Sequence, residues 1–352
     1  MPDSAIVFDQ PKFLGLLPSE VDDLMPAARL DRWRGKQLRT WVYEKLVTDV
    51  EQMTTFSAAQ RPRLLQTFAF LPGQITRRLD SIDGTTKLLI TWPGGQVAET
   101  VMIPDADRRT ACISSQVGCP VGCKFCASGV DGAKGNLSAG QIVEQVYHLN
   151  LILKPYNERI TNIVFMGMGE PLANYANVMQ AVHVLHDPQC LNLGARRITI
   201  STVGVPQKML ELADEQLPVN LAISLHAPNE ALRRQLIPWA EHFSLEQILD
   251  AARQYFEKTG REITLEYILL SQVNDRPEHA RELVRVCRTL RANVNLIRYN
   301  EVNNLEFRRP QAQDVLEFQR ILREAGVNAH LRKSRGGDID AACGQLRRKH
   351  ED

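Results

Sequence analysis

The sequence predicts an α/β fold, a partial (βα)6 barrel with a helical module ahead of it and a small β element between the two. Three observations carry that expectation. Apolar, β-branched runs alternate with amphipathic stretches through the later part of the chain, the pattern of βαβ units on a parallel sheet. Apolar residues at helical spacing dominate the beginning. A segment of alternating residues broken by turn dipeptides separates the two textures.

Residues 1–72 form the helical module, with helical spacing clearest in "EVDDLMPAARL" and "GKQLRTWVYEKLV". In residues 73–104, "DG" and "PGG" interrupt β-branched stretches, which predicts a small antiparallel element. Residues 105–352 form the barrel. Its strands are "TACISS", "TNIVFMGM", "RRITISTV", "VNLAISL", "EITLEYILL" and "NVNLIRY", with a short last one near "NAHLRK". The helices between them are "SAGQIVEQVYHLNLIL", "YANVMQAVHVLH", "PQKMLELAD", "SLEQILDAARQYFEKTG", "RPEHARELVRVCRTLR" and "RPQAQDVLEFQRILREAG". A barrel of this kind carries its active site at the C-terminal ends of the strands.

The 352 residues are 44% apolar and 24% charged, an ordinary globular balance. No apolar run approaches the roughly eighteen residues of a membrane span. The opening "MPDSAIVFDQPKFLGLLPSE" has early acids and no basic n-region, unlike a secretory leader. A cytoplasmic protein is therefore expected, in which clustered thiols serve as ligands or catalysts rather than as structural disulfides. The net charge of +1 gives no global pull on nucleic acid, but basic clusters stand at 29–39, at Arg196–Arg197, at 332–335 and at 347–349.

Four of the seven cysteines lie between Cys112 and Cys126. Cys119, Cys123 and Cys126 form C-x3-C-x2-C directly after the first barrel strand. Three thiolates on one short loop can hold three irons of a [4Fe–4S] cluster and leave the fourth open to a small molecule. Structural zinc normally takes four ligands, and no second CxxC or nearby His completes such a set. Gly118 and Gly122 let the loop fold tightly, and Phe125 would shield the cluster from water. Cys190 and Cys287 match no motif and read as a surface-loop and a helix-core residue.

C-x3-C-x-aromatic-C in this position resembles the radical S-adenosylmethionine superfamily. "CISSQVGC", "FMGMGEPLANY", "RRITISTVGV", "LAISLHAPNE", "VNLIRYN" and "GDIDAACGQL", in that order, resemble the RlmN/Cfr family of RNA adenosine methyltransferases over residues 75–346. The helical N-terminus fits that family's accessory, RNA-binding domain more loosely.

The resemblance implies a radical-SAM barrel, one [4Fe–4S] cluster held by Cys119, Cys123 and Cys126, and two molecules of S-adenosylmethionine per turnover. Gly169, Glu170, Ser201, Ser224, Leu225, His226 and Asn300 would contact S-adenosylmethionine. Cys343, on a small-residue loop read as mobile and unobstructed, would take a methyl group and become S-methylcysteine. Cys112 would be the resolving cysteine, forming a transient disulfide with Cys343. Glu99 would accept a proton, with an edge-strand charge as its bland reading. The substrate would be 23S ribosomal RNA, methylated at adenine carbon 2, with carbon 8 the alternative and transfer RNA left open. The basic segments would hold phosphates around a splayed adenine. A flavodoxin- or ferredoxin-type donor and a monomer are expected. Gly135, Arg298 and Gly337 depart from the family's usual residues in regions that could face substrate.

Two other classes compete. A radical enzyme acting on a protein or small molecule leaves Cys112 and Cys343 without a task, and a zinc-bearing RNA-binding module needs no iron. Anaerobic reconstitution with iron and sulfide should give a brown protein with iron–sulfur absorption and, once reduced, a paramagnetic signal. A colourless, zinc-loaded product would overturn the radical reading.

Overall fold

The computed structural model describes residues 10–303 and 305–346, so the basic run at 347–349 lies outside the described residues. Three short helices come first: α1 (Pro18–Leu24), α2 (Arg34–Arg39) and α3 (Arg61–Thr67). Proline in the first turn of α1 and of α3 sits where its missing N–H costs no hydrogen bond. Phe13 anchors this module in an aromatic cluster, with ring centroids 5.8 Å from Tyr43, 5.5 Å from Phe68 and 5.2 Å from Phe70. All four rings are buried.

Strands β1 (Gln74–Asp80), β2 (Thr86–Thr91) and β3 (Val97–Asp105) follow as an antiparallel meander. Strand β4 (Arg108–Cys112) pairs antiparallel with β3 on one side. A short hairpin of β5 (Gln116–Gly118) and β6 (Ala133–Asn136) stands apart and brackets the cysteine loop. Six parallel strands then continue from β4: β7 (Asn162–Phe165), β8 (Ile198–Thr202), β9 (Asn220–Ser224), β10 (Ile263–Leu269), β11 (Ala292–Arg298) and β12 (Ala329–Arg332). The antiparallel element is thus joined edge to edge with the barrel in one ten-stranded sheet.

The connecting helices are α4 (Ala139–Leu153), α5 (Tyr175–His186), α6 (Pro206–Asp214), α7 (Glu230–Leu236), α8 (Leu245–Thr259), α9 (Pro277–Arg288) and α10 (Ala312–Glu324). Capping boxes begin α4 at Ser138/Gln141 and α8 at Ser244/Gln247. Sequence periodicity does not predict α7, which is only seven residues long and too short to show a repeat.

The helical module docks on α4. A Cβ on Gly15 would lie 2.5 Å from the Gly140 amide, so two glycines permit this close backbone approach. Tyr147 donates to the Val42 carbonyl at 3.0 Å, and buried Arg39 donates to Asp22 (2.7 Å) and to Gln189 (2.9 Å). Arg39 therefore belongs to packing and not to a phosphate surface. Cys190, expected on a surface loop, is buried against Tyr43, because the 187–193 turn is covered by the docked helices. Cys287 lies in the buried face of α9 as expected.

The inner face of the sheet encloses a lumen of about 970 Å³. Arg108, Arg197, Arg261, Arg332, Lys333 and Arg335 line it, against Asp105, Glu262 and Glu266. No helix among the described residues is long and apolar enough to cross a membrane.

Truncating Phe13 to Ala removes the centre of the aromatic cluster and should cost about 3–5 kcal/mol. Urea unfolding should show a lower midpoint with an unchanged slope; an unmoved midpoint would mean that the module adds nothing to global stability.

Candidate active site

Cys112 ends β4, and the three cysteines that follow lie on the loop between β5 and β6. Cys119, Cys123 and Cys126 line one cavity together with Gly169, Glu170, Ser201, Ser224 and His226. Behind them Val121, Phe125, Leu236, Ile237 and Tyr299 form an apolar cluster separate from the main core. Phe125 is buried and stands edge-on to His226, with ring centroids 5.0 Å apart.

Burial pushes the Cys119 thiol up to about 12 and drives Cys123 and Cys126 upward as well. Thiols so disfavoured as anions need a positive centre to become thiolates, which bound iron supplies. Among the described residues, no three His, Cys, Asp or Glu side chains close on one point as a single ion requires. An iron–sulfur core is wider than an ion and spreads its ligands apart, so the donor set fits a cluster with three protein thiolates.

The other walls of this cavity come from strand ends. Gly169 lies four residues beyond β7, where the 167–170 run crosses the 113–116 segment and Ser115 donates to the Met168 carbonyl at 2.8 Å. Its φ of 106° and a Cβ position 2.7 Å from Gln116 leave room only for glycine. Glu170 is held by the Leu172 amide (2.9 Å) and the Val203 amide (2.8 Å), while burial raises its pKa. The hydroxyls of Ser201 and Ser224, on adjacent strands, lie 3.3 Å apart. His226 accepts from the Ile268 amide at Nδ1 (3.1 Å), and burial, helped by Arg233, lowers its pKa to about 3, so the ring is neutral.

Two residues expected here sit differently. The Leu225 side chain packs in the main core and its amide donates to the Glu266 carbonyl at 3.0 Å, so it does not line this cavity. Asn300 lines an adjoining cavity, where its amide donates to the Cys343 carbonyl at 3.4 Å.

Cys112 and Cys343, distant in sequence, share that adjoining cavity, and Cys343 lines both cavities. The Cys343 surface is open to this interior space although the residue lies deep within the molecule. Burial raises Cys112 to about 12 and Cys343 to about 11, and Arg332 opposes the shift at both. Burial disfavours the Arg332 charge too, but Glu266 and then the two thiols hold its proton more firmly than usual. Arg332 stands 3.4 Å from Glu266, whose other oxygen accepts from Asn295 at 2.9 Å. Expected among the phosphate-binding residues of "RKSR", Arg332 instead faces the thiol pair, because the inward side of β12 points into the lumen.

The loop that carries Cys343 is not free, in contrast to the mobile loop expected. Ser81 donates to Asp338 (2.6 Å), the Gly336 amide donates to Asp83 (3.0 Å) and Lys87 donates to the Asp340 carbonyl (3.0 Å). Lys87 also pairs with Glu99 at 3.2 Å. Glu99 lies in β3, an interior strand and not an edge, on the same pleat face as Val101, which pairs with Cys112. Of the departures, Arg298 donates to the Pro310 carbonyl (3.0 Å), Gly337 starts the turn whose next residue is the clamped Asp338, and Gly135 pairs with Val117 in the small hairpin.

Residues 113–287 match the Radical SAM superfamily, and residues 13–69 match the ribosomal RNA large subunit methyltransferase N-terminal domain. A probable dual-specificity RNA methyltransferase RlmN of Symbiobacterium thermophilum is 46% identical over 342 residues, covering 96% of this chain and 92% of that protein. The chain belongs to the RlmN family. Its counterpart in Thermosynechococcus vestitus is 44% identical over 95% of this chain and 97% of that protein. The crystal structure of a radical SAM methyltransferase from Sphaerobacter thermophilus shares the fold with a TM-score of 0.94 at 41% identity, covering 96% of this chain and 99% of that one. As an RlmN-family radical SAM enzyme, this chain is an RNA methyltransferase that uses a [4Fe–4S] cluster and S-adenosylmethionine.

Within this RlmN-type site, sequence reading passes over Glu266 and Asp83 and assigns Arg332 elsewhere. Only the inward phase of Glu266 in "EITLEYILL" could have pointed to it.

At pH 8 a thiol with a pKa near 11 is ionised in roughly one molecule in a thousand. Arg332→Met removes the cation facing Cys343 and should slow its alkylation by iodoacetamide about tenfold, one pKa unit or more. Peptide mass spectrometry from pH 7 to 10 reads this out; identical profiles would deny Arg332 that influence.

Proposed function

We propose that this RlmN-family enzyme methylates carbon 2 of an adenosine in 23S ribosomal RNA, and an adenosine of transfer RNA at the same site. The observation that carries this reading is the meeting of Cys112 and Cys343 in a cavity that adjoins the three-cysteine cavity through Cys343 itself. A radical enzyme with any other substrate has no use for such a pair.

When bound, the cluster and S-adenosylmethionine supply the methyl group and a radical able to remove hydrogen from it. Cys119, Cys123 and Cys126 hold the cluster, and Glu170, Ser201, Ser224 and His226 surround S-adenosylmethionine. Cys343 loses its thiol proton and takes the methyl as an S-methyl thioether. Loss of one hydrogen from that methyl leaves a methylene carbon that bonds to the adenine ring, so aromatic carbon need not act as a nucleophile. Cys112, as thiolate, then attacks the Cys343 sulfur. The adduct would first have to give up its one surplus electron, which an oxidised cluster could accept. A disulfide then forms, the carbon–sulfur bond breaks with its electron pair on carbon, and that carbon takes a proton, so the base departs carrying a methyl group. Glu99, paired with Lys87 beneath the tail loop, receives the proton that leaves the ring.

The basic lumen supports an RNA substrate. Lys333 and Arg335 follow β12 beside the Cys112 and Cys343 cavity, so phosphates would meet positive charge there, while Arg108, Arg197 and Arg261 line the opposite end of the lumen. An adenine must leave its stack to reach Cys343, and single-stranded loops allow that most cheaply. Carbon 2 is preferred to carbon 8 as the housekeeping activity of the family.

The test is anaerobic assay on ribosomal and transfer RNA from a strain lacking this methylation, followed by nucleoside mass spectrometry. The wild type should yield 2-methyladenosine, and Cys343→Ala none, with S-adenosylmethionine cleavage surviving. Finding 8-methyladenosine alone would reverse the choice of carbon, and an active Cys343→Ala variant would remove the thioether route.

A further inference from the structure

Arg233 is among the largest fully buried side chains of the protein, with 1% of its surface exposed. It lies in α7, the helix that periodicity does not reveal, directly behind the cysteine loop. The Leu236 carbonyl of α7 accepts from the Lys124 amide at 3.0 Å, between two of the cluster cysteines. Leu232, Leu236 and Ile237 pack with Val121 and Phe125 in the apolar cluster against which Cys119, Cys123 and Cys126 rest.

A buried guanidinium is costly unless it is paired. Arg233 donates to the Val203 carbonyl at 2.5 Å, but its Nε finds no partner. Nor does a carboxylate pair with it among the described residues. Glu230, its nearest acid along the helix, is taken by Arg234 (2.5 Å) and by the Leu245 amide (2.6 Å). Were Cys123 a thiolate, as a cluster ligand must be, it would support the Arg233 charge ahead of Glu230. Of the charges acting most strongly on Cys123, Arg233 alone favours the thiolate, while Cys126, Cys119 and Glu170 oppose it. Cys119 and Cys126 have backbone N–H donors, from Val121 and Gly169 and from Ser128 and Gly129 respectively.

We propose that Arg233 is the built-in counter-charge of the iron–sulfur cluster, a positioning residue that stands behind Cys123 and raises the cluster's reduction potential. The inference rests on the reading of Cys119, Cys123 and Cys126 as the cluster ligands. An oxidised cluster with three thiolates carries one net negative charge, and reduction adds a second. A fixed cation behind one ligand favours the reduced form, in which the electron is held before it passes to S-adenosylmethionine. The apolar cluster around α7 keeps water from screening that cation. Val203 joins the two halves of the device, since its carbonyl accepts from Arg233 and its amide donates to Glu170 on the opposite wall.

The test uses the full chain reconstituted anaerobically with iron and sulfide, as wild type, Arg233→Gln and Arg233→Lys. Gln keeps a donor for the Val203 carbonyl without the charge, and Lys keeps the charge. Reduction midpoints are read by redox titration monitored through electron paramagnetic resonance, with circular dichroism reporting the fold. Arg233→Gln should make cluster reduction at least tenfold less favourable, about 59 mV for one electron, or assemble no cluster while remaining folded. Arg233→Lys should recover most of either loss. A Gln variant with the wild-type midpoint, or a Lys variant that behaves as Gln does, overturns the proposal and leaves the ligand assignment standing. A wild type that assembles no cluster removes both.

Discussion

The geometry of the site depends on one clamp. The barrel is open between β4 and β12, and the chain after β12 has to cross back toward the carboxyl end of β4 for Cys343 to meet Cys112. The turn between β1 and β2 holds that crossing: Ser81 and Asp83 bind the loop at Asp338 and Gly336, and Lys87 binds the Asp340 carbonyl. Burial opposes the Asp83 charge, but hydrogen bonds from Thr85, Gly336 and Ser81 hold its pKa near 2, so the clamp is charged at any ordinary pH. On the far side the Ala127 amide donates to the Gly344 carbonyl (2.8 Å) and Ser128 to the Leu346 carbonyl (2.6 Å), tying the tail to the cysteine loop. The antiparallel meander is therefore part of the active site's scaffold. Glu99 is drawn into the same network through Lys87.

With that loop in place, electrostatics divide the interior in two. The cavity lined by Cys119, Cys123 and Cys126 is backed by an apolar cluster that includes Phe125 and Tyr299, and a neutral His226 adds no charge. The lumen beside it is open and basic, lined by arginines. Cys343 lines the first cavity and the adjoining Cys112 cavity, which shares Arg332, Lys333 and Arg335 with the lumen. A thiol there is strongly disfavoured as an anion, so its chemistry waits on a local cation. Radical chemistry needs the first environment, and a polyanionic substrate needs the second.

The grouping of Cys119, Cys123 and Cys126 in one cavity was legible because their spacing lies on one short loop, where proximity in sequence is proximity in space. Glu170 was legible because it follows a strand whose carboxyl end must reach the barrel's active face. Leu225 shows the limit of that logic: it stands at the same strand end as Ser224 and His226, yet the pleat turns its side chain into the core. Arg332 and Arg39 show it again, since a basic run in sequence does not say which of its residues faces inward. Cys190 misleads in the same way, as a polar turn covered by a docked helix reads as surface.

By itself the sequence determined the alternation of strands and helices, the order of the barrel strands, and the identity of the thiols. Those follow from periodicity and from ligand spacing, which act over a few residues. Only the tertiary structure decided that Cys343 joins Cys112, that Arg332 faces both, and that Arg233 is buried behind the cysteine loop with no carboxylate partner among the described residues. These contacts link residues that are distant along the chain. Sheet register, the clamp on the tail loop and the burial of a short helix bring them together, and no local pattern encodes a meeting of that kind.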